Sequence, residues 1–231
     1  MTMRLLLTTA FAFTLFSTTR ADDPTPEEKL QIAKDRAKSV NNLKQIGIAF
    51  HAYTDTYNKI PTNVADEKGK LLLSWRVLML PFLEEEGLYK EFKLDEAWDS
   101  AHNKKLIEKM PKVFTPVRGK AGKGETFYRG FTGPSTIFEA GKKFSFRNIT
   151  DGSSNTFLCV EAEKQCPWTK PDDLPFDPKK DELPKLGGTM FEAGFNAVFC
   201  DGSVRFIKKD IAKETLKALI TRDGGEVVQF P

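Results

Sequence analysis

Few residue types in this chain could move a proton, attack a carbonyl carbon or hold a metal. There are two histidines, His51 and His102, and three cysteines, Cys159, Cys166 and Cys200. Neither histidine has a Cys, Asp or Ser at a spacing that builds a catalytic triad. His51 follows Phe50 in an apolar helical pattern and His102 lies in a polar stretch, so both read as structural or surface residues. No histidine lies near a cysteine, and the cysteine spacings are not those of a zinc site. The chain has no G-x-G-x-x-G, phosphate loop, G-x-S-x-G or H-E-x-x-H. Glu161 and Glu163 can share one face of a strand, but a glycosidase pair must face each other across a sugar, and nothing else here supports hydrolysis. The run Asp151-Gly152-Ser153-Ser154-Asn155-Thr156 lacks the alternating carboxylates and closing glutamate of a calcium loop. It reads as a turn entering a strand. The expectation is a protein that is not an enzyme, with no catalytic residue, metal or cofactor.

Binding chemistry is better placed. Pro167-Trp168-Thr169-Lys170-Pro171 puts a tryptophan between two prolines, ahead of a polar segment holding Pro171, Pro175, Pro178 and Pro184. A half-exposed Trp168, with Lys170 beside it, could stack on a sugar or anchor a partner. The competing reading is a tryptophan that pins the loop to the core. Residues 170–185 are expected to form a long exposed loop.

The elements that must position these residues are legible by period and punctuation. Arg4, the apolar run Leu5 to Phe16 and Thr19-Arg20-Ala21 have the layout of a cleavable signal peptide over residues 1–21, too short to span a bilayer as a helix. The implied mature unit, residues 22–231, would be a single domain outside the cytoplasm. Export permits disulfides, and three cysteines leave at least one unpaired; Cys159 and Cys200 lie in apolar strand-like runs that suit burial. Net charge is +3, and +1 once Arg4 and Arg20 are removed, so there is no electrostatic footprint for nucleic acid. Nineteen phenylalanines against four tyrosines point to core filling.

Thr25-Pro26-Glu27-Glu28 predicts a capped helix start. Apolar positions three or four apart from Leu30 to Tyr53 carry that helix to about Tyr57. Its first half is polar around most of its circumference and should project; its second half should be buried. Residues 62–70 read as a polar hairpin or loop. The apolar run 71–82 reads as a helix kinked at Pro81 and continuing to about Gly87. A short helical piece holding Leu88, Tyr89 and Phe92 and a helix over 99–107 follow. Strands are expected at 126–128, 136–139, 156–160, 197–200 and 204–208, with Asp201-Gly202 as the hairpin turn between the last two, and a final helix over 213–221. Helices first and an antiparallel sheet after argue for α+β.

Several of these runs together resemble a large planctomycete family, the domain-of-unknown-function 1559 family, also labelled bacterial solute-binding-protein-like. They are Asn41-Asn42-Leu43-Lys44-Gln45-Ile46-Gly47, His51-Ala52-Tyr53, Leu73-Ser74-Trp75-Arg76-Val77, Leu80-Pro81-Phe82-Leu83-Glu84, Asp151-Gly152, the Trp168 motif and Phe199-Cys200-Asp201-Gly202-Ser203-Val204-Arg205-Phe206. The resemblance implies a pilin-like fold, a long N-terminal helix packed on an antiparallel β-sheet with short helices and long loops, and no established enzyme activity. It departs at Phe191, where family members usually carry a histidine, so Phe191 is singled out as a candidate contact with Trp168 and Lys170. It departs again at the N-terminus, which lacks the prepilin leader. The expectation is therefore a non-catalytic envelope or periplasmic protein, exported to the periplasm or cell surface and without a membrane span in its mature form. It would be an interaction or pseudopilin-like module whose partners are other envelope proteins. The alternative is a solute- or glycan-binding protein using Trp168 and residues 170–185.

Overall fold

The structure is a computed structural model that describes residues 24–226. The signal-peptide reading at residues 1–21 lies outside the described residues. Thr25 starts the chain's longest element. Its hydroxyl accepts from the Glu28 N–H, while the Glu28 carboxylate accepts from the Thr25 N–H at 2.7 Å. This reciprocal cap starts α1, Pro26–Tyr57, which ends where Asn58 turns left-handed at φ 55°. Between residues 26 and 38 only Ile32 and Asp35 are partly covered; from Ser39 onward Leu43, Ile46, Ala49 and Phe50 are buried. The polar first half and buried second half are as the residue pattern predicts.

The apolar run after α1 does not form the continuous helix expected to Gly87. Val64–Ala65 (β1) and Leu71–Leu73 (β2) pair as a small hairpin. Ser74 then caps a single turn, α2 (Trp75–Leu78), while its own N–H donates to the Thr169 carbonyl at 2.9 Å. Pro81 cannot donate the next helical hydrogen bond, so the chain tightens into a 3₁₀ turn, Leu80–Leu83, stopped by a left-handed Glu84 at φ 62°. α3 (Glu86–Glu91) and two more 3₁₀ turns, Asn103–Lys109 and Lys112–Phe114, complete the helical part; the first replaces the helix expected at 99–107.

Four strands form the main sheet, all neighbours antiparallel: β3 (Glu125–Arg129), β5 (Phe157–Pro167), β7 (Gly194–Phe199) and β8 (Val204–Lys208), in that order. Phe131–Thr132 (β4) and Leu174–Pro175 (β6) form a separate parallel pair. One strand expectation and one loop expectation need correcting. Residues 136–139 are not a strand, because the Thr136 N–H and hydroxyl both bond back to the Gly133 carbonyl in a turn. Residues 170–185 are not simply an exposed loop, since Asp173, Leu174 and Phe176 are buried.

The sheet is covered on both faces. α1 and the short helices bury Leu43, Ile46, Phe50, Trp75, Phe114, Leu158, Val198 and Cys200 on one side. α4 (Lys213–Ile220) helps bury Phe157, Val160, Phe195, Phe199, Leu216 and Leu219 on the other. Alternation along β7 sends Phe195, Ala197 and Phe199 to one core and Val198 to the other. Each buried Phe, Leu, Ile or Val among them contributes about 2 kcal/mol of apolar burial. The observed class is α+β, a long N-terminal helix packed on an antiparallel sheet. No helix among the described residues is long and apolar enough to cross a membrane.

Candidate functional site

The register of the sheet lines up one residue per strand on the face that meets α1. Tyr128 on β3 pairs with Glu161 on β5; Val160 pairs with Ala197, which sets Glu161 opposite Asn196 on β7; and Asn196 pairs with Phe206 on β8. α1 crosses this row with residues three apart, which share a helix face. Arg36 lays its guanidinium 4.3 Å from the centre of the Phe206 ring. Ser39 reaches Tyr128 at 2.9 Å and donates a short hydrogen bond to Glu161. Asn42 donates to the Tyr128 oxygen at 3.3 Å.

Glu161 is the chemically informative member. It is almost fully buried and accepts from the Asn196 N–H at 2.7 Å, the Asn196 side-chain amide at 3.0 Å and the Ser39 hydroxyl. Burial raises its pKa above the ordinary carboxylate range, and these hydrogen bonds together with the Arg36 charge only partly oppose that. The Tyr128 phenol is raised for the same first reason, burial, with the Glu161 charge adding. A carboxyl so enclosed ties α1 to the sheet through Ser39, Asn196 and the neighbouring Tyr128. The glycosidase geometry considered for Glu161 and Glu163 does not form: Glu163 lines an open cleft and Glu161 does not.

That cleft, of about 640 Å³, lies beside β6 and the segment after it. Leu174 and Phe176 form its floor; Lys164, Lys185, Glu163 and Glu182 stand around it. Arg129 also lines it, but its guanidinium is held by the Asp172 carbonyl at 2.7 Å and the Asp172 carboxylate at 2.8 Å. Residues 170–185 thus do form one wall of a cavity.

The three candidate contact residues are not brought together at it. Trp168 is fully buried, with its indole N–H donating to the Ile107 carbonyl at 2.9 Å and its ring stacked on Phe114 at 5.9 Å. The expectation of a half-exposed stacking ring is corrected: a buried indole is more stable filling the core and satisfying a 3₁₀ carbonyl. Phe191 is a core residue, 5% exposed. Lys170 alone reaches solvent, bonded to Asp172 at 3.1 Å.

The remaining candidate groups lie outside the cleft. His51 stacks on Phe146 at 4.3 Å, with its buried Nε2 making no hydrogen bond among the described residues. All three cysteines are buried and free, and burial pushes each thiol up, which keeps it protonated. A second buried polar cluster joins the helical part to β4 and β6: Asp173 accepts from the Trp75 indole at 3.1 Å, the Gly130 N–H at 3.0 Å and Asn63 at 2.7 Å, with the buried Arg76 at 3.9 Å.

Against known proteins, residues 33–117 match the model of a family described as a protein of unknown function (DUF1559). No curated protein and no solved structure matches the chain. The matched span takes in the α1 residues that cross the sheet row and the Ser74–Leu83 turn region, so the similarity to that family covers little more than a third of the chain.

Proposed function

We propose that the chain is a non-catalytic protein exported to the periplasm or cell surface, where it binds another envelope protein. One observation carries this reading: α1 extends more than three turns, residues 26–38, in which only Ile32 and Asp35 are partly covered, the stretch being tied to the rest of the fold by Asp35–Arg118, Arg36 on Phe206 and the edge packing of Ile32. A helix in water without tertiary packing is marginal, so a capped, projecting helix suits a partner that completes it. The signal-peptide pattern before it supports export, and the enclosed Glu161 and protonated thiols support the absence of catalysis. No cofactor or nucleic acid enters this reading.

The test has two parts. Fractionation with mass spectrometry of the native chain should find a product beginning at Asp22 outside the cytoplasm; a cytoplasmic chain beginning at Met1 overturns export. Photo-crosslinkers at Ala33 and Ala37 should give one adduct in cells that a crosslinker at Lys179 does not give. Identical adducts at all three overturn the interaction role.

A second reading, solute binding, is favoured by the cleft alone, with Trp168 no part of it. Sugars or amino acids that raise the melting temperature of the wild type, but not of a cleft-filling Leu183→Trp variant, would favour it. No shift across such a panel removes it.

A further inference from the structure

We propose that the C-terminal end of α1, together with the turn Leu80–Leu83 and the start of α3, is a docking face for a lysine- or arginine-bearing segment of a partner protein. The inference rests on the interaction-module reading and adds to it a second surface and a partner chemistry.

The face is built from aromatic rings. Tyr57 is 53% exposed, unusual for a ring held between neighbours. It sits 4.6 Å from Tyr53 and 6.1 Å edge-on from Phe82, and Tyr53 in turn meets Phe82 at 5.6 Å. Tyr89 on α3 joins them: its phenol and that of Tyr53 are pushed up first by burial and then by neighbouring tyrosines, Tyr57 in both cases. Tyr57 is the exposed ring of the group, Phe82 and Tyr89 are half-buried, and Tyr53 is buried beneath them. Exposed tyrosine faces attract ammonium and guanidinium groups, and the stems of lysine and arginine pack on such apolar surface.

Charge selects the partner. α1 ends with no basic residue in its last turn and with Asp55 there instead, so no cation within the helix offsets the negative end of its dipole. Glu84 caps the Leu80–Leu83 turn next to Phe82, and Glu85 precedes Tyr89 by four residues at the start of α3. Glu86 pairs with Lys90 at 2.8 Å, whereas no ion pair to Asp55, Glu84 or Glu85 occurs among the described residues. Lys59 and Lys90 are the nearby cations in sequence, against four acids. An apolar partner would strip water from carboxylates without replacing it, and an anionic one would be repelled. Ring centres 4.6–6.1 Å apart also leave no gap to enclose a small ammonium ion. A polypeptide, which adds contacts on both sides of each charge, fits the flat face.

The test titrates the mature chain with a hexa-arginine peptide by calorimetry, against a hexa-glutamine control. Binding of the arginine peptide alone is expected. Tyr57→Ala should weaken it about threefold, the size of an exposed cation–π contact. Glu84→Gln with Glu85→Gln should weaken it by a similar factor and flatten its salt dependence. Glu192→Gln with Glu214→Gln, exposed acids elsewhere, should leave it unchanged. Equal binding by Tyr57→Ala, equal weakening by the remote pair, or no binding by the wild type overturns the proposal. Adducts from Ala33 and Ala37 alongside any of those results would discard this face and keep the interaction reading. Loss of those adducts with intact, Tyr57-dependent peptide binding would do the reverse.

Discussion

At the scale of single residues, the buried carboxyl of Glu161 makes a prediction with a sign. Its folded pKa is raised, chiefly by burial, so the folded state holds the proton more tightly than the unfolded chain. The stability this contributes is complete below the ordinary glutamate pKa and is lost as pH rises through the raised value. Glu161→Gln keeps an acceptor for the Asn196 N–H and removes the charge. Its urea midpoint should gain on the wild type as pH climbs from about 4.3, the ordinary glutamate value, towards neutrality; a constant difference between pH 4 and 8 would refute the assignment. Trp168 makes the second. Trp168→Ala removes a fully buried ring and orphans the Ile107 carbonyl, so chemical denaturation should show a loss of about 3–5 kcal/mol. Lys170→Ala, which breaks a part-exposed pair with Asp172 and a 5.8 Å contact with the Trp98 ring, should cost no more than about 1 kcal/mol.

At the scale of the element, α1 owes its seat to a glycine. A side chain at Gly47 would place its Cβ 3.0 Å from the Val198 methyl and 3.5 Å from Gly202 Cα. The helix thus lies directly on the Asp201-Gly202 turn, whose Gly202 has φ 82°. Gly47→Leu should destabilise the protein by about 2 kcal/mol or more, because Val198 is fully buried and has nowhere to move. Ala33→Leu on the projecting half of the same helix should change stability by less than about 0.5 kcal/mol. Thermal unfolding of the two variants checks both, and similar melting temperatures would mean the turn can retreat from the helix.

At the scale of the whole molecule, one sheet serves two cores. β5 sends Leu158 and Cys159 towards α1 and Phe157 and Val160 towards α4, and β7 divides its side chains in the same way. Strands shared like this should couple the two sides. Leu43→Ala beneath α1 and Leu219→Ala beneath α4, both fully buried, should each cost about 2–5 kcal/mol and lower one common transition. Fluorescence and circular dichroism midpoints that separate in either variant would show the cores unfolding independently.

What the sequence determined by itself is local. The capping box at Thr25 and Glu28 lies within four residues, and the Asp201-Gly202 turn is closed by Ser203 N–H to Asp201 at 2.8 Å. Periodicity marked which half of α1 is buried, and four of the five expected strand positions lie on observed strands. The tertiary structure decided the rest, because the deciding partners are far apart in the chain. Ser39 and Glu161 are separated by 122 positions and Trp168 from Ile107 by 61. Apolar residues 71–73 became a strand rather than a helix because β1 lay ready to pair with them. Composition and spacing measure how a residue meets its neighbours in sequence. Whether Trp168 faces solvent or fills a core, and whether Glu161 meets a substrate or a serine, depends on which distant segment the folded chain lays over it.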